Sequence, residues 1–163
     1  MANPSRSILL AALGVASLNS PALGEPEKVG VTAAVNPDAT GQPPNEPLRE
    51  LLVGHDVIRN ERIKTQASGQ AQLLFTDQST LTVARNSEVV IDEFVYDPNK
   101  QVGKMTATVT AGLLRFVGGK ISKQSDAVNF ATPSGNVAVR GGVAIIEVKR
   151  NTTASSGART QPR

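Results

Sequence analysis

Apolar and polar residues alternate in short runs along most of the chain after residue 55. In the clearest run, 104–111, methionine, alanine and valine occupy every second position, with lysine and threonine between them. Side chains two residues apart share one face of a β-strand, whereas a helix needs apolar positions three or four residues apart. The body of the chain contains no sustained helical period. The pattern therefore predicts an all-β domain.

Turn-forming residues separate these runs, as at 132–135 and 141–142. Turn signals about every 8–12 residues are typical of a sandwich, a barrel or a rolled sheet. We expect about nine or ten short strands in a rolled or solenoid-like, antiparallel-rich sheet or sandwich. The clearest predicted strands are 29–35, 70–75, 81–83, 88–95, 104–111 with its continuation to 117, 128–131, 137–139 and 143–148.

Three local predictions depend on particular residues. Residues 36–47 contain four prolines and predict a polar loop outside the core. Residues 48–53 are too few to distinguish one helical turn from the approach to a strand. In the run 88–95, we expect Val89, Ile91 and Val95 to lie on the same face.

The first residues have the composition of a cleavable signal peptide. Arg6 is the one charge before the apolar run 8–18, and small residues precede Glu25. Cleavage is expected between Gly24 and Glu25, or after Ala22. A spanning helix needs about 20 apolar residues, so this run is too short to cross a bilayer. An amphipathic helix packed on the domain is the alternative, although the run shows no polar face. We expect a periplasmic or secreted protein.

The excess of positive charge lies at the C-terminus. The chain has 17 basic and 14 acidic residues, yet four of the basic ones, and no acidic one, lie in 149–163. The preceding body is slightly acidic and contains no tryptophan. A nucleic-acid-binding domain normally presents a basic face with stacking aromatics, so this class is excluded. We expect a signal peptide at 1–24, one β domain at 25–149 and a disordered basic tail at 150–163.

The sequence contains no convincing catalytic or metal site. The absence of cysteine excludes thiolate catalysis and cysteine-ligated zinc. The single histidine, His55, adjoins Asp56, but adjacent residues on an extended chain point apart. Glu88, Asp92 and Glu93 could in principle form a glycosidase pair. Without aromatic sugar platforms, a solvated or protective strand face is the better interpretation. We expect a protein that is not an enzyme and has no cofactor or metal.

The ordered motifs of the chain resemble the FecR family, the extracytoplasmic domain of bacterial transmembrane regulators. The resemblance covers roughly residues 50–148 and implies an all-β, partly solenoid-like fold. The best-known member relays receptor occupancy at the outer membrane to a cytoplasmic sigma factor. The matching segments are 60–65 (NERIKT), 69–77 (GQAQLLFTD), 79–83 (STLTV), 86–98 (NSEVVIDEFVYDP), 115–121 (RFVGGKI) and 132–142 (TPSGNVAVRGG).

The chain departs from the family pattern at several positions. Gln78, Ala84 and Ala138 stand where the family often has glycine. The sequence also shows neither a sigma-binding region nor a membrane span. We therefore expect that another protein supplies the transmembrane step of any signal.

The resemblance implies a protein partner, a membrane-bound sensor, receptor or envelope complex. Arg115 and Arg140 are the candidate partner-binding residues, because an arginine can bridge to a partner carboxylate. For each, an intramolecular ion pair is the alternative interpretation. A structural cell-envelope protein that binds glycan or peptidoglycan is the alternative function. The partner's identity, the oligomeric state and any link to iron uptake stay open.

Overall fold

The computed structural model describes residues 26–150. The predicted signal peptide, its cleavage residues Gly24 and Glu25, and the tail after Arg150 lie outside this range. No helix within it is long and apolar enough to cross a membrane. A short 3₁₀ helix lies at Ile121–Lys123. The strands are β1 Lys28–Asn36, β2 Ala39–Gln42, β3 Arg49–Glu50, β4 Asp56–Ile58, β5 Arg62–Thr65, β6 Gln70–Phe75, β7 Thr80–Val83, β8 Glu88–Asp97, β9 Val102–Val117, β10 Val128–Thr132, β11 Gly135–Val139 and β12 Val143–Val148.

The strands form one curled sheet with two facing layers. The first layer has the order β4-β1-β6-β7-β9-β12, and the second has the order β3-β2-β5-β8-β9-β10-β11. All neighbouring strands are antiparallel except β9 and β10. The all-β, antiparallel-rich, rolled architecture predicted from the residue pattern is confirmed, with twelve strands in the described range.

Strand β9 belongs to both layers because it bends at Gly112. Its first half pairs with β8 and β10, and its second half pairs with β7 and β12. Gly112 has a φ of 95°, a conformation that side chains with a Cβ rarely adopt. A Cβ at this position would lie 2.4 Å from the Cα of Ser87. The glycine therefore permits both the bend and the close approach of β8.

The core lies between the two layers and consists mainly of aliphatic side chains. Two aromatic contacts join the layers. Phe75 of β6 stacks on Phe94 of β8 with ring centroids 5.1 Å apart. Phe116 of β9 meets Phe130 of β10 edge to face at 5.4 Å. All four phenylalanines are therefore buried and hold the two layers together.

Two local predictions were wrong. Val95 is 49% exposed, and Phe94 takes the buried position instead. The cause is a β-bulge between Ile91 and Glu93, which reverses the parity of the residues that follow. The predicted loop 36–47 contains β2, in which Ala39 is buried against the core. Of the two alternatives left open for residues 48–53, the structure shows the strand: the segment contains β3, Arg49–Glu50, and no helical turn.

Gln78 shows why the family often has glycine at this turn. Its φ of 71° lies in the left-handed region, and its side chain is exposed. Ala84 and Ala138, the two other departures, do not have a positive φ. Gln78→Gly should therefore raise the free energy of unfolding by about 0.5 kcal/mol, since relief of backbone strain exceeds the added entropy of the unfolded chain. Urea denaturation measures this, with Ala84→Gly as the matched control that should lower stability.

Candidate partner-binding edge

The carboxylates of β8 each contact a different neighbouring side chain. Glu88 pairs with Arg62, and Glu93 pairs with Lys104 at 3.0 Å. Asp92 accepts a hydrogen bond of 2.7 Å from the Thr108 hydroxyl. This arrangement supports a solvated strand face rather than a catalytic pair. Within 26–150, no group of three or more His, Cys, Asp or Glu side chains could hold a metal ion.

His55 lies in a turn and contacts its own loop. Its Nδ1 accepts a hydrogen bond from the backbone N–H of Leu52 at 3.3 Å. Its backbone C=O accepts a hydrogen bond from Thr32 N–H at 2.8 Å, which joins the turn to β1. The geometry supports the turn interpretation of this residue.

Two buried carboxylates that the sequence pattern did not single out stabilise the fold. Glu61 is fully buried, and its Oε1 accepts a hydrogen bond from Arg49 Nη2 at 3.0 Å. Its Oε2 accepts one from Ile58 N–H at 2.9 Å. Asp77 is also fully buried and accepts hydrogen bonds from the N–H groups of Ser79 and Ile121. Both lie within the motifs of the family resemblance, which was the only signal that could have found them.

Strand β12 is an open edge of the first layer. Within the described residues it pairs with β9 alone. Gly118 N–H donates to Gly142 C=O at 2.8 Å, immediately before the strand begins. Hydrogen-bonded and non-hydrogen-bonded pairs alternate along an antiparallel ladder. Residues 144, 146 and 148 therefore bond to β9, and the N–H and C=O groups of 143, 145 and 147 point to the open side.

The outer face of β12 is apolar at its centre. Val143 is 56% exposed and Ile145 is 69% exposed. Val143 lies opposite Val117 of β9, which is half-buried, and Ile145 lies opposite Arg115. Exposed apolar side chains and free backbone groups thus occur on the same residues.

Both candidate arginines border this edge. Arg115 is exposed on β9, and Arg140 is exposed in the turn between β11 and β12. Neither forms an ion pair within 26–150; the ion pairs found there join other side chains. The intramolecular alternative finds no support in the described residues, and the role in partner binding remains a prediction.

The segment 111–150, which contains β12, has an excess of basic residues, in contrast to residues 26–110. Residues 111–150 contain six Lys and Arg but only two acidic residues, Asp126 and Glu147. Residues 26–110 hold more acidic than basic residues. The basic residues of the C-terminal part are Arg115, Lys120, Lys123, Arg140, Lys149 and Arg150.

Comparison with known families agrees with the motifs and the fold. The family model described as FecR protein matches residues 61–158, which is more than half of the chain. The chain belongs to the FecR family. FecR proteins are associated with signalling regulators in the periplasm. No curated protein and no solved structure gives a significant match.

The FecR match places the open edge inside the family domain. It covers β5 to β12, and so includes β12 and both candidate arginines. The strands before it still belong to the same layers, because β1 pairs with β6 and β2 pairs with β5. The sheet that contains the FecR match therefore also includes strands that precede residue 61.

Proposed function

We propose that this protein is an exported FecR-family binding module without enzymatic activity, which contacts a membrane-bound sensor, receptor or envelope complex through β12. The open edge of this strand carries the proposal. In β-augmentation, an extended segment of a partner adds to a sheet edge, and backbone hydrogen bonds supply much of the affinity. The free backbone groups of β12 suit this mode of binding.

The side chains of β12 also favour a binding edge. Proteins usually protect an edge strand from other chains with proline, inward-pointing charges, lysine or a bulge. The sequence VAIIEV contains no proline or lysine, and its one charge, Glu147, points to the outer face. The register with β9 is regular from Val143 to Val148. A regular, apolar edge of this kind is the signature of a strand that pairs with another polypeptide.

The proposed lack of catalysis is supported by the contacts of the carboxylates. Glu88, Asp92 and Glu93 each have a neighbouring partner, which holds them apart as separate contacts. The alternative of glycan binding is weakened because every phenylalanine is buried in the core. Sugar-binding surfaces normally expose aromatic rings. A protein partner therefore fits the surface better than a polysaccharide.

Site-specific photo-crosslinking in the native host tests this proposal. A photoreactive amino acid at position 143 should give an adduct with a membrane or periplasmic protein, because this side chain borders the open edge. The matched control is position 53, where Val53 is 65% exposed but lies in the loop after β3. Equal adducts from both positions, or recovery of polysaccharide without protein, would contradict the proposal. Hydrolase activity of the purified protein that disappears in Glu88→Gln would contradict its non-enzymatic part.

A further inference from the structure

We infer that the partner segment that docks on β12 is an extended strand with an apolar, β-branched centre and acidic residues at its ends. This inference rests on the proposed function and adds the chemistry of the partner. It follows from three properties of the edge: the direction of the free backbone groups, the apolar centre of the outer face and the basic charges around it.

The backbone restricts the ligand to an extended polypeptide. Val143, Ile145 and Glu147 each present one N–H and one C=O to the open side. A partner strand running antiparallel to β12 can pair with all of these groups in the alternating pattern of the ladder. A lipid surface or a polysaccharide has no regular array of donors and acceptors at this spacing. The edge is therefore built to select a peptide backbone.

The side chains of β12 determine the centre of the partner strand. Partner residues opposite Val143 and Ile145 would lie on the outer face, where these two exposed side chains offer apolar contact. On the inner face, the half-buried Ala144 and Val148 pack against the core. Cross-strand pairs of β-branched residues stabilise a sheet, so the residues of the partner that face Val143 and Ile145 are expected to be apolar and β-branched.

The charges around β12 determine the ends of the partner strand. Arg140 precedes the strand, Lys149 and Arg150 follow it, and Arg115 lies beside its centre; all four are exposed, and the exposed Glu147 on β12 is the one acid beside them, so the edge keeps a net positive charge. None of these four forms an ion pair within the described range. Complementary charge at the rim of an interface speeds association and excludes the wrong partners. Acidic residues at both ends of the docking segment would meet cations at both ends of β12.

The same charges disfavour a second copy of this chain as the occupant. If the β12 strands of two copies paired antiparallel, Arg140 of each copy would approach Lys149 and Arg150 of the other. Like charges placed side by side across an interface are unfavourable. A different polypeptide with acidic ends avoids this repulsion.

Capped synthetic peptides test the inference on the purified full-length mature protein. The probe is a fluorescent peptide of alternating valine and threonine with two glutamates at each end. The control peptide has the same centre, with two lysines at each end in place of the glutamates. Fluorescence anisotropy should show at least tenfold tighter binding of the glutamate peptide, with an affinity that falls as salt is raised. Two further glutamate peptides carry N-methyl groups, one on the odd and the other on the even residues. The one whose methylated N–H groups face β12 loses its hydrogen bonds to this strand and should bind at least tenfold more weakly.

Variants of the protein locate the binding and control for folding. Ile145→Pro removes an N–H that points to the open side, so the fold should persist while peptide binding falls at least tenfold. Ile146→Pro removes an N–H bonded to β9 and should disrupt β12 itself, which circular dichroism and thermal unfolding detect. Arg115→Gln combined with Arg140→Gln should weaken the glutamate peptide severalfold. The control Arg59→Gln, in an exposed ion pair with Glu27, should not.

The outcomes separate this inference from the proposed function. Equal affinity for the two peptides, or undiminished binding by a folded Ile145→Pro, overturns the acidic-strand inference. Stable self-association that Ile145→Pro abolishes overturns it in favour of a second copy. Direct binding to vesicles containing anionic phosphatidylglycerol, with no binding of either peptide, overturns it in favour of a lipid surface. A protein adduct at position 143 without a preference for the glutamate peptide supports the proposed function and overturns the acidic-strand inference. Preferential binding of the glutamate peptide without such an adduct supports the chemistry of the edge and contradicts the proposed function.

Discussion

Gly112→Ala should lower the free energy of unfolding by about 4 kcal/mol, from a strained backbone and a steric clash together. The residue has a φ of 95°, and an added Cβ would lie 2.1 Å from the Ser87 hydroxyl and 2.4 Å from its Cα. The Cα belongs to the backbone and cannot turn aside. Ser87 is also fixed, because its hydroxyl accepts a hydrogen bond from Leu113 N–H at 2.9 Å. Urea denaturation followed by circular dichroism measures the loss.

Gly141→Ala is the matched control for the backbone conformation alone. Gly141 has a φ of 67°, and a Cβ there would meet no atom within 4 Å. The cost of a left-handed alanine by itself is about 1 kcal/mol. The difference between the two variants therefore measures the clash with Ser87. Equal losses would show that β8 can move away from β9 at little cost and would contradict the rigid bend described above.

Glu61→Ala should be the second severe variant and should cost about 3 kcal/mol. The substitution removes both acceptor oxygens of a buried carboxylate, which leaves Ile58 N–H without its acceptor and leaves Arg49 with the backbone C=O of Asp56 but no carboxylate. Removing one member of a buried ion pair typically costs about 3–5 kcal/mol. The side chain of Arg49 is 32% exposed and can still reach water, so the lower end of this range applies.

Glu27→Ala provides the comparison for Glu61→Ala. Glu27 pairs with Arg59 at 3.2 Å, but both side chains are about half exposed. An exposed ion pair contributes about 0–1 kcal/mol, because water solvates the separated charges. Thermal and urea unfolding of the two variants should therefore differ clearly. A Glu61→Ala protein as stable as Glu27→Ala would show that the buried pair contributes nothing net to the fold.

Most strands could be predicted from the sequence because the alternation of apolar and polar residues follows the alternation of buried and exposed side chains. In β9, Met105, Ala107 and Val109 are all buried, as the period of two indicates. The rule failed in β8, where the bulge after Ile91 exchanges Val95 for Phe94 at the core. A bulge inserts one residue without changing the composition of the strand, so a single sequence carries no signal of its position.

Burial of Glu61 and Asp77 could not be predicted from the residue pattern, because burial of a charged side chain depends on hydrogen-bond partners from distant segments. Glu61 is held by Arg49, twelve residues away, and Asp77 by Ile121, forty-four residues away. A periodic pattern identifies these positions only as polar. Their charge can be buried because hydrogen bonds replace the lost water, and those bonds exist only in the folded chain.

The partner-binding role of Arg115 and Arg140 stays a prediction. Their residue type and their place beside glycine turns and strands suggested partner contact, and the structure exposes both beside the same edge. Val143, Ile145 and Glu147 were not singled out, because alternation shows which face of a strand is buried but not whether both of its sides are paired. The open side of β12 became visible only through its register with β9.

The sequence by itself determined the all-β class, most of the strands and the membership of the FecR family, since each rests on short-range alternation, turn residues or ordered motifs. Only the tertiary structure decided that Gly112 bends one strand between two layers, that Glu61 and Asp77 lie in the core, and that one side of β12 is unpaired within residues 26–150. These features depend on contacts between residues far apart in the chain. Short-range patterns carry no record of such contacts, because the same alternating strand can lie at the centre of a sheet or at its edge.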